Sequence, residues 1–239
     1  MTTQAILDST VRWHGVADAK ALRQAAYRRI VDSAADAIKQ RGRFLIVLAG
    51  GSTPRNIYQV LRAANTDWSR WRVYFGDERC VPMSHIERNS RMAADAWLNH
   101  VAIVQSHIHV IPAELGATAA TAAYAEILRD VGEFDLVLLG LGDDGHTASL
   151  FPGHDWGSAT GAPDVLSVLD APKPPAQRVT LSAARLSRAR EVLFMVEGVA
   201  KRNAVARWHA GESLPATAIK PVGGVDVLLE SVLLELSVV

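Results

Sequence analysis

Cysteine is almost absent from this sequence, because Cys80 is the only one among its 239 residues. A single cysteine cannot form an internal disulfide, and its scarcity favours a reducing compartment, so we expect a cytoplasmic protein. The fold must then be held by a packed core, which a chain of this length can build. Cys80 itself is better explained as a small buried residue than as a nucleophile.

The chain also lacks net charge, since 25 Lys and Arg residues balance 25 Asp and Glu residues. A neutral chain gives no sign of a nucleic-acid partner or of a membrane surface, and nothing in it requires an obligate protein partner. Its apolar runs are far shorter than the ~20 residues that span a bilayer. The N-terminus has no basic segment followed by an apolar run, so we expect no signal peptide.

Several catalytic and metal-binding motifs are missing as well. No G-x-S-x-G nucleophile elbow is present, which argues against a serine-hydrolase triad. No cluster of cysteine and histidine has zinc-site spacing, and His107 and His109 lack a third ligand. The sequence therefore predicts neither a metal nor a cofactor.

Short apolar runs alternate with helical patterns along most of the chain. The runs predict strands at 44–49, 71–75, 108–111, 134–141, 178–181 and 192–196. The helical patterns cover 18–40, a start at Ser52 or Thr53, a stretch from Asn89 or Ser90 to about His100, 120–131, and 198 to about 211. This alternation predicts an α/β fold with three layers, α/β/α, and a mostly parallel, Rossmann-like sheet.

Residues 152–176 interrupt that alternation. They hold many of the prolines and several glycines, and we interpret them as a long irregular loop or small insertion. We expect the rest of residues 1–239 to form a single α/β domain around it. The last 15 residues are apolar at both periods and predict no definite element.

The most informative stretch is 134–149. A buried strand runs into a glycine turn that carries Asp143, Asp144 and His146, and a helix is predicted to start directly afterwards. A carboxylate two residues before an imidazole, on a rigid strand end, is one way to build a general base. The alternative is an ordinary turn in which the acids cap a helix and His146 bonds to backbone.

The same turn matches the dinucleotide fingerprint G-x-G-x-x-G from Gly140 to Gly145. That fingerprint needs a complete crossover helix, and Pro152 would cut this one a few residues after its start. A histidine directly after the third glycine also suits a pyrophosphate turn poorly. The sequence therefore disfavours a nicotinamide or flavin site.

A second glycine turn, Gly50-Gly51-Ser52-Thr53, follows the strand at 44–49. Glycines let backbone N–H groups approach an anion, and the positive end of the following helix adds to the attraction. A phosphate monoester would fit there. No G-K-[ST] follows, so this is not a Walker loop, and a tight turn with a serine cap is the alternative interpretation.

Charged residues follow two other strand ends. Asp77, Glu78 and Arg79 come after the strand at 71–75, and Arg79 could hold a phosphate bidentately. Lys201 lies near a helix start, where the helix dipole disfavours a cation unless an anion meets it. The plain alternatives are a solvated loop and an exposed lysine.

Taken together in this order, segments 48–54, 75–79, 140–153 and 197–201 resemble the 6-phosphogluconolactonase family, within the glucosamine-6-phosphate deaminase/lactonase superfamily. The resemblance covers roughly residues 20–210. It implies the glucosamine-6-phosphate deaminase/ribose-5-phosphate isomerase-like fold and the hydrolysis of 6-phospho-D-glucono-1,5-lactone in the oxidative pentose phosphate pathway. A sugar phosphate would then be the small-molecule partner.

The resemblance also implies roles for particular residues. His146 would be the general base, Asp144 would orient it or contact sugar hydroxyls, and the helix after Gly145 would help stabilise the oxyanion. The 6-phosphate would be held by Arg79 and Lys201, with Asp77 in the same loop and the backbone of Gly50, Gly51, Ser52 and Thr53.

Two positions separate the lactonases from the deaminases of the superfamily. A deaminase has a further catalytic glutamate where this chain has Phe151, and a tyrosine where it has Arg79. Both differences favour the lactonase. An amino-sugar-phosphate deaminase and a non-catalytic sugar-phosphate binding protein remain the alternatives. Arg88-Asn89 departs from the Ser-Asn pair common in the family, and no C-terminal residue is assigned a role.

Overall fold

The computed structural model describes residues 11–235. The strands are β1 (Val11–Val16), β2 (Phe44–Leu48), β3 (Trp71–Phe75), β4 (Asp77–Arg79), β5 (Ile108–His109), β6 (Phe134–Leu139), β7 (Val165–Val168), β8 (Arg178–Leu181), β9 (Ala189–Val196) and β10 (Val225–Glu230). The helices are α1 (Ala19–Arg41), α2 (Ser52–Leu61), α3 (Asn89–Ala96), α4 (Ala117–Leu128), α5 (Ala183–Ser187) and α6 (Arg202–His209). The signal-peptide prediction concerns residues 1–10, which lie outside the described range, and 236–239 lie outside it too.

Seven strands form one parallel sheet in the order β1-β10-β9-β6-β2-β3-β5. Every residue of β2 and β6 is buried, as expected for central strands that are covered on both faces. Helices flank this sheet. The prediction of an α/β fold with a mostly parallel sheet is confirmed.

The first helix shows how spacing and end signals produce an element. The fully buried stripe of α1 includes Leu22, Ala26, Ile30 and Ala34. Asp18 begins the helix by accepting the backbone N–H of Ala21, and Gly42 ends it with a left-handed φ of 71°. Although α1 is the longest helix, none within residues 11–235 is long and apolar enough to cross a membrane.

A small antiparallel sheet, in the order β4-β8-β7, lies beyond the carboxyl end of β3. Only Gly76 separates β3 from β4. Because β7 lies inside 152–176, the interpretation of that segment as irregular is wrong at this strand. β7 is short, and its pairing with β8 stabilises it more than its own sequence pattern does, so the local signal is weak. The expectation of one domain over residues 1–239 stays a prediction, since it extends past the described range.

The predicted helix after His146 is not formed. Residues 141–150 make turns, with Ala148 at φ 48° and a single bridge between Thr147 and Leu150. The Thr147 hydroxyl donates to the Gly140 carbonyl at 2.9 Å instead of capping a helix. Tertiary hydrogen bonds therefore outweigh the local helix-start signal here.

Two helix starts differ from their predictions. α2 begins at Ser52, so Pro54 is its third residue rather than its first. The preceding residue, Gly51, occupies the N-cap position and provides no side-chain hydrogen bond. α3 begins at Asn89 without a side-chain cap and ends at Ala96. α2 follows the end of β2 closely, whereas residues 80–88 separate β4 from α3.

Candidate active site

A cavity of about 250 Å³ opens at the carboxyl ends of β2, β3, β6 and β9. Parallel strands end at the same edge of a sheet, so segments that are distant in sequence converge there. The polar side chains on its wall are Ser52, Thr53, Asp77, Arg79, Asn89, His146, Thr147, Lys173, Arg178, Glu197 and Lys201. Four of these are Lys or Arg and two are carboxylates, so the wall suits an anionic ligand.

His146 and Asp144 form a hydrogen-bonded pair. His146 Nδ1 lies 2.5 Å from Asp144 Oδ1, and the His146 backbone N–H donates to the same oxygen at 3.1 Å. Burial raises the pKa of Asp144, but the hydrogen bonds from His146 outweigh it and leave that pKa below its ordinary value. An ionised carboxylate only accepts, so Nδ1 carries the hydrogen, and in the neutral form of the ring Nε2 is the acceptor.

Two glycines permit the close packing of this turn. Gly145 has a left-handed φ of 90°, and a Cβ there would lie 2.9 Å from the Leu214 side chain. A Cβ on Gly142 would lie 2.0 Å from His146 Nδ1 and 2.7 Å from Asp144 Oδ1. Gly142 therefore allows the close approach of the ring and the carboxylate, and Gly145 allows the turn to pack against Leu214. Since no helix follows, this is not the strand–turn–helix unit of a dinucleotide site.

Phe151 forms an apolar wall beside the imidazole. Its ring centroid lies 5.0 Å from that of His146, and the phenyl ring is buried. The Phe151 carbonyl accepts from the Trp156 indole N–H at 2.6 Å, which holds this part of the turn in place. The wall limits the orientations of His146 and keeps one side of its ring away from water.

The turn after β2 places backbone donors on the cavity. Gly51, at φ 107°, precedes α2, so the N–H groups of Ser52 and Thr53 occupy the first helical positions and have no acceptor within the helix. A Cβ on Gly50 would lie 2.1 Å from Asn89 Oδ1. Gly50 is therefore needed for the approach of Asn89.

Asp77 is part of a buried network. Its two carboxylate oxygens accept from Ser149 Oγ at 2.6 Å and from Asn89 Nδ2 at 3.1 Å. The fully buried Glu78 accepts the Asn89 backbone N–H at 2.7 Å and pairs with buried Arg88 at 3.3 Å. These bonds hold the start of α3 against β4, so the main contacts of Asp77 are to the framework of the site.

Arg79 and Arg178 lie directly opposite each other on β4 and β8, and both line the cavity. Arg79 Nη1 donates to the Glu87 carbonyl at 2.7 Å, while no described residue accepts from its buried Nε. Burial lowers the pKa of Arg178, Asp77 raises it, and Arg79 lowers it further. Two adjacent guanidinium groups with an unused donor suit a dianion.

Two lysines complete the cationic wall. Lys201 Nζ lies 2.5 Å from Asp143 Oδ1, and this hydrogen bond lowers the pKa of Asp143. The neighbouring acids are thus separated, Asp143 with Lys201 and Asp144 with the imidazole. Lys173 brings the end of segment 152–176 to the cavity, and its carbonyl accepts from Arg178 Nη2 at 2.9 Å.

Comparison with known proteins assigns the family. Residues 17–228 match the family of glucosamine-6-phosphate isomerases/6-phosphogluconolactonase, a range that includes the whole cavity wall. The chain belongs to this family. The predicted family resemblance is thereby confirmed.

The similar proteins cover nearly the full length of both chains. A Mycobacterium leprae protein named 6-phosphogluconolactonase is 37% identical over 88% of this chain and 90% of its own. The structure of the Thermotoga maritima 6-phosphogluconolactonase gives a TM-score of 0.85 at 25% identity, over 92% of this chain and 100% of that one. For the Trypanosoma brucei 6-phosphogluconolactonase the TM-score is 0.83 at 29% identity, over 95% and 98%.

Within this family fold, the predicted site residues converge on one cavity. Its wall includes Gly50, Gly51, Ser52, Thr53, Asp77, Arg79, His146 and Lys201, and Asp144 contacts it through His146. Sequence reasoning missed Asn89, Lys173, Arg178 and Glu197. Asn89 had a signal, since it follows the D-E-R loop where the family has Ser-Asn, whereas Arg178 depends on the pairing of β4 with β8. Among residues 11–235, no group of three or more His, Cys, Asp or Glu could hold a metal ion.

Proposed function

We propose that this protein hydrolyses 6-phospho-D-glucono-1,5-lactone to 6-phospho-D-gluconate, a step of the oxidative pentose phosphate pathway. The observation that carries the proposal is the His146–Asp144 pair, whose Nε2 is free to accept a proton beside a cation-lined cavity. Similar proteins named 6-phosphogluconolactonase support the same substrate. A lactone is an activated ester, so its hydrolysis requires only a base, an oriented water and a fixed substrate.

In this reaction His146 moves one proton twice. Nε2 takes a proton from water as the water oxygen attacks the C1 carbonyl and forms a tetrahedral intermediate. The bond between C1 and the ring oxygen then breaks, and the proton returns from Nε2 to the departing ring oxygen. The product carboxylic acid ionises, and the imidazole ends in its starting state.

Asp144 keeps the imidazole in the correct tautomer. Its pKa is lowered, so it is ionised at neutral pH and holds the hydrogen on Nδ1. It also stabilises the positive ring that exists between the two proton transfers. The helix expected after Gly145 does not form, so the expectation that it stabilises the oxyanion is wrong.

The phosphate is anchored by cations and backbone donors of the cavity wall. Arg79 and Arg178 supply adjacent guanidinium groups, and the first turn of α2 supplies backbone N–H groups. Lys201 approaches from the end of β9, where Asp143 holds it until an anion competes. This remote anchor fixes the ring so that C1 faces His146.

The identity of residue 151 favours lactone hydrolysis over amino-sugar deamination. Buried Phe151 packs on His146 where a deaminase has its further catalytic glutamate. An apolar ring can neither donate nor accept the proton that ring opening of an amino sugar needs. Deamination would release ammonia from glucosamine 6-phosphate, and we expect none.

The deciding experiment follows freshly generated 6-phosphogluconolactone with and without the protein, coupled to 6-phosphogluconate dehydrogenase. We expect acceleration over the spontaneous rate that requires the phosphate. His146→Ala should lower kcat by about 10²- to 10⁴-fold with an unchanged thermal unfolding midpoint. No acceleration by the natural sequence would refute the function, and near-native turnover by His146→Ala would refute the assignment of the base.

A further inference from the structure

Glu197 is a residue of the cavity wall, and one of its carboxylate oxygens receives no hydrogen bond from residues 11–235. It directly follows β9 and lines the cavity. Its Oε2 is buried, and no residue in the described part of the chain donates a hydrogen bond to it. A buried acceptor without a donor costs free energy. Because the Glu197 side chain lines the cavity, a small rotation of its carboxylate would bring Oε2 to a donor on a ligand and remove that cost.

The other carboxylates around the cavity all have partners. These pairs are Asp77 with Ser149 and Asn89, Asp143 with Lys201, Asp144 with His146, and Glu230 with the Gly198 backbone N–H. Lys201, the nearest cation in sequence, is engaged by Asp143 at 2.5 Å. Glu197 is therefore the exception among these described carboxylates.

The position of Glu197 in the sheet places it beside the reacting end. In the register of β6 and β9, Leu139 is opposite Phe194, and three residues further along each chain come Gly142 and Glu197. Gly142 is the residue whose Cβ would lie 2.0 Å from His146 Nδ1. Glu197 thus emerges next to the turn that holds the proposed base, and β6 and β2 separate its strand from β3.

We propose that Glu197 accepts a hydrogen bond from the hydroxyl on C2 of the lactone, the carbon next to the carbonyl that water attacks. This inference rests on the proposed function and makes Glu197 a specificity-determining residue of that site. An ionised carboxylate accepts and cannot donate, so it selects a hydroxyl at that position. A lactone with hydrogen in place of the hydroxyl would leave Oε2 unpaired and be rejected.

The test compares two lactones, prepared from glucose 6-phosphate and from 2-deoxyglucose 6-phosphate by oxidation at C1. Hydrolysis of each releases a proton, so both are followed by a pH indicator in weak buffer. Each rate is divided by the spontaneous rate of the same lactone. We expect the natural sequence to prefer the hydroxylated lactone by about 10- to 100-fold in kcat/KM.

Variants separate recognition from structure. Glu197→Leu should lower kcat/KM for the hydroxylated lactone by about 10- to 100-fold and leave the 2-deoxy lactone nearly unchanged, which removes the preference. Glu197→Gln keeps an acceptor oxygen and should retain most of it. As a matched control, Glu230→Leu removes a carboxylate bonded only to backbone and should affect both lactones equally.

The inference is overturned if the natural sequence treats the two lactones alike. It is also overturned if Glu197→Leu lowers both by the same factor or changes neither. Failure of the proposed function looks different, because the natural sequence would then accelerate neither lactone. A purely structural role for Glu197 would lower the unfolding midpoint without changing the ratio between the substrates.

Discussion

Replacing Gly142 by alanine tests how closely the turn holds His146, the proposed base, against Asp144. The added Cβ would lie 2.0 Å from His146 Nδ1 and 2.7 Å from Asp144 Oδ1, and real Cβ contacts are essentially never shorter than 3.0 Å. The imidazole must therefore move by about 1 Å, and its hydrogen bond to Asp144 must lengthen or break. The substitution thus displaces the base without removing it.

A displacement of this size has a characteristic effect on the reaction rate. A misplacement of about 1 Å costs roughly 10²-fold in rate, and we expect kcat to fall by at least that factor. The fold should survive, because Gly142 does not have a positive φ and accepts a Cβ in its backbone conformation. Overpacking costs about 1–3 kcal/mol, of which the lower entropy of the unfolded alanine chain offsets about 0.4–1. A typical domain has roughly 5–15 kcal/mol available.

The assay measures kcat and KM for the phosphorylated lactone together with urea unfolding of the same preparation. Gly132→Ala is the matched control, because a Cβ at Gly132 meets nothing within 4 Å and lies away from the cavity wall. It should leave kcat unchanged. If folded Gly142→Ala turns over within about threefold of the natural sequence, the ring and carboxylate are not held as described, and the reasoning from close approach is refuted.

Two further predictions concern the anion end and a distant ion cluster. Arg79→Ala should raise KM by about 10- to 100-fold with little change in kcat, and an unchanged KM in steady-state assays would rule out a phosphate contact. Burial raises the pKa of Asp226, but hydrogen bonds from Arg12 and His14 and the charge of Arg29 outweigh it, so the pKa lies below its ordinary 3.8. The ion pairs of Asp226 therefore stabilise the folded protein fully at pH values above the ordinary pKa. This stabilisation is lost as the pH falls through the lower pKa of the folded state. Asp226→Asn should therefore lower the free energy of unfolding by about 1–2 kcal/mol at pH 7, and less at pH 3, in urea titrations. A difference independent of pH would contradict the ion-pair account.

The central strands and the place of the site were predictable because their signals are local. Buried strands such as β2 and β6 appear in the sequence as continuous apolar runs, which few other elements produce. Each run ends in a glycine turn with polar residues after it. Parallel strands bring those ends to one edge, so the sequence alone groups Gly50, Arg79 and His146 before any distance is measured.

What the sequence did not predict depends on contacts between distant segments. The residues after Gly145 have the composition of a helix start, yet Thr147 bonds to Gly140 and Ser149 bonds to Asp77, so the turn continues. β1 and β10 pair the two ends of the described chain, and neither has a strong pattern of its own. Local propensity does not decide whether such strands form, because the hydrogen bonds and side-chain packing that stabilise them come from the partner strand.

The two parts of the cavity differ in the same way, since one is built mainly by local contacts and the other by contacts between distant segments. At the base end, Gly142, Asp144 and His146 are bonded to one another within one turn, and Ser149 and Phe151 tie that turn to the rest of the chain. The anion end is assembled from β4 and β8, and only their pairing places Arg178 beside Arg79. These adjacent cations repel each other in the free protein, and a bound phosphate would relieve that repulsion. Loosening the small sheet should therefore weaken substrate binding. It should also loosen the turn of the proposed base, because Ser149 bonds to Asp77 of β4 and to Thr180 of β8.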